Sequence, residues 1–539
     1  MRDTVFRGGS VLIGLDSDNR PLYSDAIAFR DGTVAALGQD AHALAEDPNG
    51  EVVDLEGGTL VPAFGDGHAH PLLAGLEAEG PQVRGASSLK DLLRIVKEWK
   101  ASHPDDDWIV GGSYDGSLTD DGLFDAKWLD EVTGDTPTIL RGWNYHTAWV
   151  NTAALRAAGI TRETPDPTCG EIVRRPDGTP LGTLREAAAN DFIERVVPRH
   201  PEDAQLRALD AATQQYIAHG ITWVQDAWVE PADVDVYCAA AQAGHLHARV
   251  NLAFKADPGD WRSQLVEFGA ARRRIEELDT EMLTARTVKF FVDGIIENFS
   301  AFLTEPYAVR PDERGTPNWA PDELARAVRE IDALGFQIHL HAIGDAAVTS
   351  ALDAIEYAQL ANDAWDRRPV IAHAILVRPA DMNRFFELGV IANFEPYWAQ
   401  CDHVTMSQTI PYIGEVRGKW QYLIHSVRSA GAQVSFGSDW PVSSMDWRLA
   451  FATAVTRRDP FDEGAERLIP EERVDAATAF AAFTEGTSFQ AFAATRGSLR
   501  VGNVADAMWL SDDPLQTEAS QIPTLAIQGT WLSGKRVSG

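Results

Sequence analysis

The period of apolar and polar positions changes twice along the chain. Over the first 58 residues, "GSVLIG", "DAIAFRDGTVAALG" and "EVVDLEGG" alternate apolar and polar residues between Gly and Asp, the period of short half-buried strands. The C-terminal stretch repeats the pattern in "GSLRVGNVADAMWLSDD" and "IQGTWLSGKRVSG". Neither end has enough strands for a stable sheet pair. Residues 1–58 and 495–539 are therefore expected to build one small β-sandwich domain together.

Between them come eight short β-rich runs: TLVPAF (59–64), ITWVQDA (221–227), RVNLAF (249–254), TVKFFVD (287–293), FQIHLHA (336–342), PVIAHA (369–374), GVIANF (389–394) and AQVSFGSD (432–439). Segments such as "PDELARAVREIDALG" and "AAVTSALDAIEYAQ" lie between or after them with helical i, i+3, i+4 periodicity. The pattern predicts an α/β chain with a (β/α)8 TIM-like barrel over residues 59–494, whose working face is the C-terminal ends of its strands. The long interval of about 76–215 carries its own strand and turn signals, such as "DWIVGGSYDG" and "TPTILRGW". Part of it is expected to be an inserted subdomain over the barrel mouth, after the first barrel strand.

Charge narrows the function classes. Lys and Arg total 47 against 80 Asp and Glu, a formal charge of −33, so the surface repels phosphate backbones and anionic lipid. No nucleic-acid or membrane partner is expected, a small molecule is, and a homodimer is left open. The three cysteines lack CxxC spacing, which disfavours a disulfide framework or a thiolate metal site. With neither a signal-peptide pattern nor a run of ~18–20 apolar residues, the expected address is cytoplasmic.

Three His-x-His pairs stand out: His68/His70 in "GDGHAH", His245/His247 in "GHLHAR" and His339/His341 in "QIHLHA". Spacing cannot rank them, because each puts two imidazoles on one face of a strand. Position can. His68 and His70 follow the run TLVPAF, at the working end. His245 and His247 precede RVNLAF, on the opposite, stabilising face, and read as structural or solvent-exposed. Within the third pair, His339 lies ~6–7 Å deeper than His341 at ~3.3 Å per residue, so His341 is the candidate ligand and His339 a packed or supporting histidine. Lys289, His373 and Asp439 fall on the fourth, sixth and eighth runs, aimed at the same end. Any one of these is commonplace; together, several histidines and an aspartate suit Zn2+ or a similar divalent ion.

At these residues the chain resembles the amidohydrolase superfamily, more narrowly its amidohydrolase-3 or YtcJ-like branch, which includes N-substituted formamide deformylase. The resemblance rests on "VPAFGDGHAH", "HTAWVNTAALRAAGI", "GTPLGTLREAA", "VKFFVDG", "HAIGDAA", "IAHAILVRPADMNRF", "FGSDWPV" and "GSLRVGNVADAMWL", spread over nearly the whole chain. It implies metal binding by His68, His70, His341, His373 and Asp439. It also implies that Lys289 matches a lysine that can become N6-carboxylysine and bridge two ions; one or two Zn2+ per chain remain open. Where many relatives have Gln-Pro after the seventh strand, this chain has Glu395 before Pro396.

The expected chemistry is hydrolysis of a C–N bond, an amide or N-substituted formamide, by metal-activated water. Asp439 would carry the proton, and His373 or another nearby histidine would help stabilise the oxyanion. Trp143, Tyr397, Trp398 and Trp440 supply aromatic surface for an apolar or aromatic substrate, and His146 is a further candidate substrate contact; packing of the insertion is the alternative role for these rings. Esterase, lactonase or deaminase chemistry on the same site is the rival among enzymes. A non-catalytic scaffold would have lost ligand positions that are all filled here.

Overall fold

The computed structural model describes residues 3–48, 50–119 and 122–539. The two chain ends build a pair of sheets. One has four strands in the order Thr33–Leu37, Ile27–Arg30, Thr4–Arg7, Glu51–Asp54. The other has six: Lys535–Ser538, Ile527–Leu532, Ala507–Leu510, Thr59–Pro62, Ser10–Leu15 and Pro21–Ser24. Phe6 and Phe29 from the first sheet and Val11, Leu60 and Trp531 from the second share one core. The Phe6 and Trp531 rings meet edge-on with centroids 4.9 Å apart, a geometry worth about 0.5–1.5 kcal/mol beyond burial.

Eight parallel strands form the barrel: Phe64–Ala69, Ile221–Val229, Arg249–Lys255, Leu283–Phe291, Gln337–Ala342, Val370–His373, Ile391–Phe394 and Gln433–Phe436. The expected barrel is present, with one correction at its start. The run TLVPAF is split: Thr59–Pro62 pairs with Ser10–Val11 and Ala507–Leu510 in the terminal sheet, so that sheet reaches past residue 58, and the first barrel strand begins only at Phe64. His68 therefore lies on that strand, with His70 immediately after it. The strand "FGDGHA" lacks the β-branched residues that mark strands in sequence. Its glycines are set by crowding instead: a Cβ on Gly67 would sit 2.5 Å from Asn393 Nδ2.

Between the first and second barrel strands lies a five-stranded sheet, ordered Gly170–Arg174, Pro180–Glu186, Thr147–Val150, Thr138–Gly142, Ile109–Tyr114. Packed on it are the helices Leu89–Ser102 and Ala126–Thr133, with Leu92, Val96, Phe124, Leu129 and Trp149 in their shared core. The helix Glu202–Ala218, inside the interval expected for the insertion, instead packs on the first barrel helix, Pro71–Glu77, and leads into the second strand. The hairpin joining Thr138–Gly142 to Thr147–Val150 holds Trp143, Asn144, Tyr145 and His146 at its tip. This is how the insertion delivers side chains to the barrel mouth. Among the described residues, no helix is long and apolar enough to cross a membrane.

Candidate metal centre

The first and last barrel strands meet through two backbone hydrogen bonds: Asp439 N–H donates to His68 O and His70 N–H to Trp440 O, each at 2.8 Å. Close approach here requires Gly437, since a Cβ on it would lie 2.8 Å from His68. Asp439 is thereby set against both histidines, with its Oδ1 2.9 Å from His70 Nε2 and 3.6 Å from His68 Nε2. The ligand atoms of the three residues lie within 4.8 Å of one another, all buried, and no other such group of His, Cys, Asp or Glu occurs among the described residues.

The strand register explains the other positions. Lys289 is level with His339, and Phe291 with His341, so Lys289 starts two residues deeper than His341. Its long side chain makes up the depth and brings Nζ to 3.3 Å from His68 Nε2. His339, at Lys289's level, places Nε2 2.9 Å from His68 Nδ1 and so supports that ring from below. His341 and His373 pack edge to face at 4.5 Å, and the His373 ring is 4.8 Å from that of His68. All six candidate ligands thus converge on one end of the barrel.

A carboxylate fixes the orientation of His373. Glu395 is buried, with Oε2 2.9 Å from His373 Nδ1. That contact occupies Nδ1 and leaves Nε2 free, the arrangement in which a carboxylate sets a histidine's tautomer for metal binding. Asp293, in "VKFFVDG", accepts from the backbone N–H groups of Ile343, Gly344 and Phe302 and so fastens the loop after His341. Sequence reasoning singled out Glu395 without a role, and it assigned none to Asp293.

Electrostatics favour the neutral form of His68, His70, His339 and His341. Burial, with help from the neighbouring Lys289 and histidines, holds His68, His339 and His341 well below the ordinary imidazole range. Burial also pushes the Lys289 ammonium down to about 7, against the opposing pull of Asp439, Glu395 and Asp226. Neutral imidazole is the form that ligates metal. A test of fit comes from the unpaired atoms: His70 Nδ1, Asp439 Oδ1 and Glu395 Oε1 are sealed from solvent with no hydrogen-bond partner among the described residues. His70 Nε2 and Asp439 Oδ1 lie 2.9 Å apart, close enough for one ion to be shared between them. The donor set fits a divalent ion.

Above the cluster is a cavity of about 690 Å3. His68, His70, His341, His373 and Asp439 line its floor, and Trp143, His146, Tyr397, Trp398 and Trp440 its walls. Trp398 stacks on His373 at 5.6 Å. His146 places Nδ1 2.7 Å from Glu186 Oε2, while Glu186 Oε1 accepts from Ser300 and Asn298 at 2.6 and 3.0 Å. Burial alone would lower the His146 pKa, but Glu186 outweighs it and the net direction is upward. Arg185, beside Glu186, pairs with Glu171 at 3.0 Å.

A family model described as the amidohydrolase family matches residues 51–538. The chain belongs to the amidohydrolase family. It is accordingly a hydrolase. This amidohydrolase is 30% identical over 541 residues to Protein LONG AFTER FAR-RED 3 of Arabidopsis thaliana, covering 97% of this chain and 89% of that protein. It is 26% identical to the N-substituted formamide deformylase of Arthrobacter pascens, covering 96% of this chain and 95% of that one. Among solved structures, a metal-dependent hydrolase of Pyrococcus horikoshii superposes with a TM-score of 0.75 at 23% identity, over 96% of this chain and 99% of the other. That likeness is one of fold.

Proposed function

We propose that this amidohydrolase cleaves the C–N bond of a small amide or N-substituted formamide carrying an apolar or aromatic group. The reading is carried by the buried convergence of His68, His70 and Asp439, with an unpaired Asp439 oxygen between two neutral imidazoles. In it, His68, His70, His341, His373 and Asp439 hold one or two divalent ions, Zn2+ by the chemistry of the donors. Lys289, close to neutral in its buried position, is suited to carboxylation as a further ligand. When bound, such an ion supplies Lewis-acid polarisation of the carbonyl and acidifies water.

The protein groups do the rest. Asp439 accepts a proton from the attacking water and returns it to the leaving nitrogen, and the acid's remaining proton passes to the released amine, so that amide and water become carboxylate (formate, from a formamide) and ammonium. His373, held by Glu395, faces the developing oxyanion. Trp143, Tyr397, Trp398 and Trp440 keep the apolar substituent out of water, and His146, held by Glu186, is within reach of the reacting carbonyl. The deformylase relative supports the choice of bond.

The test is a metal analysis of protein purified without chelator, followed by assays on N-benzylformamide, aryl esters and cyclic ureas. Stoichiometric zinc and turnover of the formamide are expected. Turnover of esters alone would move the assignment to an esterase, and metal-free protein would overturn it.

A further inference from the structure

Beside the metal-centre cavity lies a second one of about 460 Å3, within the range of small-molecule sites. It is enclosed between the first barrel helix, the inserted sheet and the helix Ala187–Arg195, through Leu73, Leu76, Val110, Ile139, Ile193 and Val197. Tyr145 and Trp228 line both cavities and partition them. Arg141, from the strand Thr138–Gly142, sets its guanidinium 4.9 Å from the Tyr145 ring centre and 5.5 Å from that of Trp228.

Among the described residues, no carboxylate contacts this guanidinium; Glu77, Glu194 and Glu230 act on it only from beyond contact distance. Its Nε is sealed from solvent and unpaired, and among the described residues it makes no ion pair or hydrogen bond. The acids around the cavity make their contacts with other groups. Glu77 accepts from Ser113 and Tyr145 and pairs with Arg84 at 3.2 Å; Glu194 and Glu230 pair with Lys255 at 2.6 and 3.1 Å; Asp233 pairs with Arg199 at 2.6 Å. A chamber with an apolar wall and a planar cation that no carboxylate contacts is complementary to an apolar body ending in a carboxylate, which can meet the guanidinium fork with two parallel hydrogen bonds.

We propose that this cavity binds an amphipathic carboxylate, its alkyl or aryl body against Leu73, Val110 and Ile193 and its carboxylate on Arg141. The site is separate from the proposed hydrolysis and stands or falls independently of it. Because Tyr145 and Trp228 also wall the metal-centre cavity, occupancy would reach that cavity through this shared partition.

The test is calorimetric titration of the metal-loaded protein with octanoate and with neutral octanamide, at ~150 mM salt to screen the −33 charge. Octanoate is expected to bind once per chain, and octanamide about tenfold or more weaker, the scale of a lost charge-assisted pair. Arg141→Met should weaken octanoate by a similar factor. Ile193→Trp, which fills the chamber and leaves the guanidinium in place, should weaken it as well, and it decides the matter should Arg141→Met fail to fold. Asp439→Asn should leave octanoate binding intact. Equal affinity for octanoate and octanamide, unchanged octanoate binding in either cavity variant, or loss confined to Asp439→Asn would overturn the proposal, the last by placing the anion at the metal centre.

Discussion

Two stretches of this chain put a His-x-His pair around one aspartate oxygen, at opposite ends of the same barrel. His68 and His70 approach Asp439 Oδ1 at 3.6 and 2.9 Å; His245 and His247 approach Asp210 Oδ1 at 2.9 and 3.0 Å. The residue types are identical and the distances nearly so, yet the settings differ. The first trio is buried, and its carboxylate oxygen has no donor. In the second, both ring nitrogens make hydrogen bonds to Asp210, with side chains 46% and 34% exposed. In the second trio a hydrogen bond occupies the aspartate's acceptor. In the first, the ligand atoms are gathered within 4.8 Å in a buried cluster that a single cation can share.

The sharpest way to break the comparison is to exchange the acids. Asp439→Asn keeps the shape but removes the charge and the proton acceptor. It is expected to lower kcat/KM on the proposed formamide substrate by about 10^2–10^4-fold, the usual scale for a positioned acid–base group. Asp210→Asn should leave kcat/KM unchanged. A comparable loss in both variants would mean that the trio's address in the barrel does not decide its role. The histidines extend the contrast: His70→Ala should sharply reduce bound metal measured by elemental analysis, while His247→Ala should not reduce it.

That difference of address was legible in the sequence because strand order alone assigns one pair to the C-terminal face and the other to the N-terminal face. The depth of His339 was legible too, since the two-residue strand period puts it one layer below His341, where the register now places it beside Lys289. The start of the first strand was not. "FGDGHA" carries no propensity for a strand; it is held by neighbours far along the chain, Asn393, Phe436 and Gln490, which leave room only for glycine at position 67. Glu395 drew notice as a departure from a motif, but its partner lies 22 residues away on the adjacent strand, and only the fold brings the two together. Arg141 gave no signal at all. An arginine in a strand is ordinary, and what marks this one is the lack of a partner in three dimensions.

A smaller effect is expected at Glu395. Replacing it with Gln keeps a hydrogen-bond acceptor for His373 Nδ1 but removes the negative charge that strengthens the other nitrogen as a donor to metal. Metal affinity, measured by competition with a chromophoric chelator, should fall about 10–100-fold, as is typical for carboxylates that orient metal-binding histidines. The melting temperature of the metal-free protein should change little. Unchanged affinity would mean that His373 stands outside the metal set and serves only the substrate.

The smallest effect belongs to the exposed trio. Asp210→Ala removes both imidazole contacts, yet the backbone around them stays fastened: Thr213 Oγ1 donates to His245 O at 3.2 Å and accepts from His247 N–H at 3.1 Å. With Asp210 itself 30% exposed, the lost pairs are screened by water and their removal should cost at most about 1 kcal/mol in urea unfolding, with an unchanged slope. Metal content is the more telling readout. Were Asp210→Ala to lose one bound equivalent while turnover persisted, the exposed trio would be a metal site in its own right, and burial would no longer separate the two pairs. Constant metal content with a small stability loss leaves the distinction where burial and hydrogen bonds put it: an exposed aspartate oxygen already hydrogen-bonded to two imidazoles does not need a cation, and the buried cluster at the barrel mouth is the one built to share one.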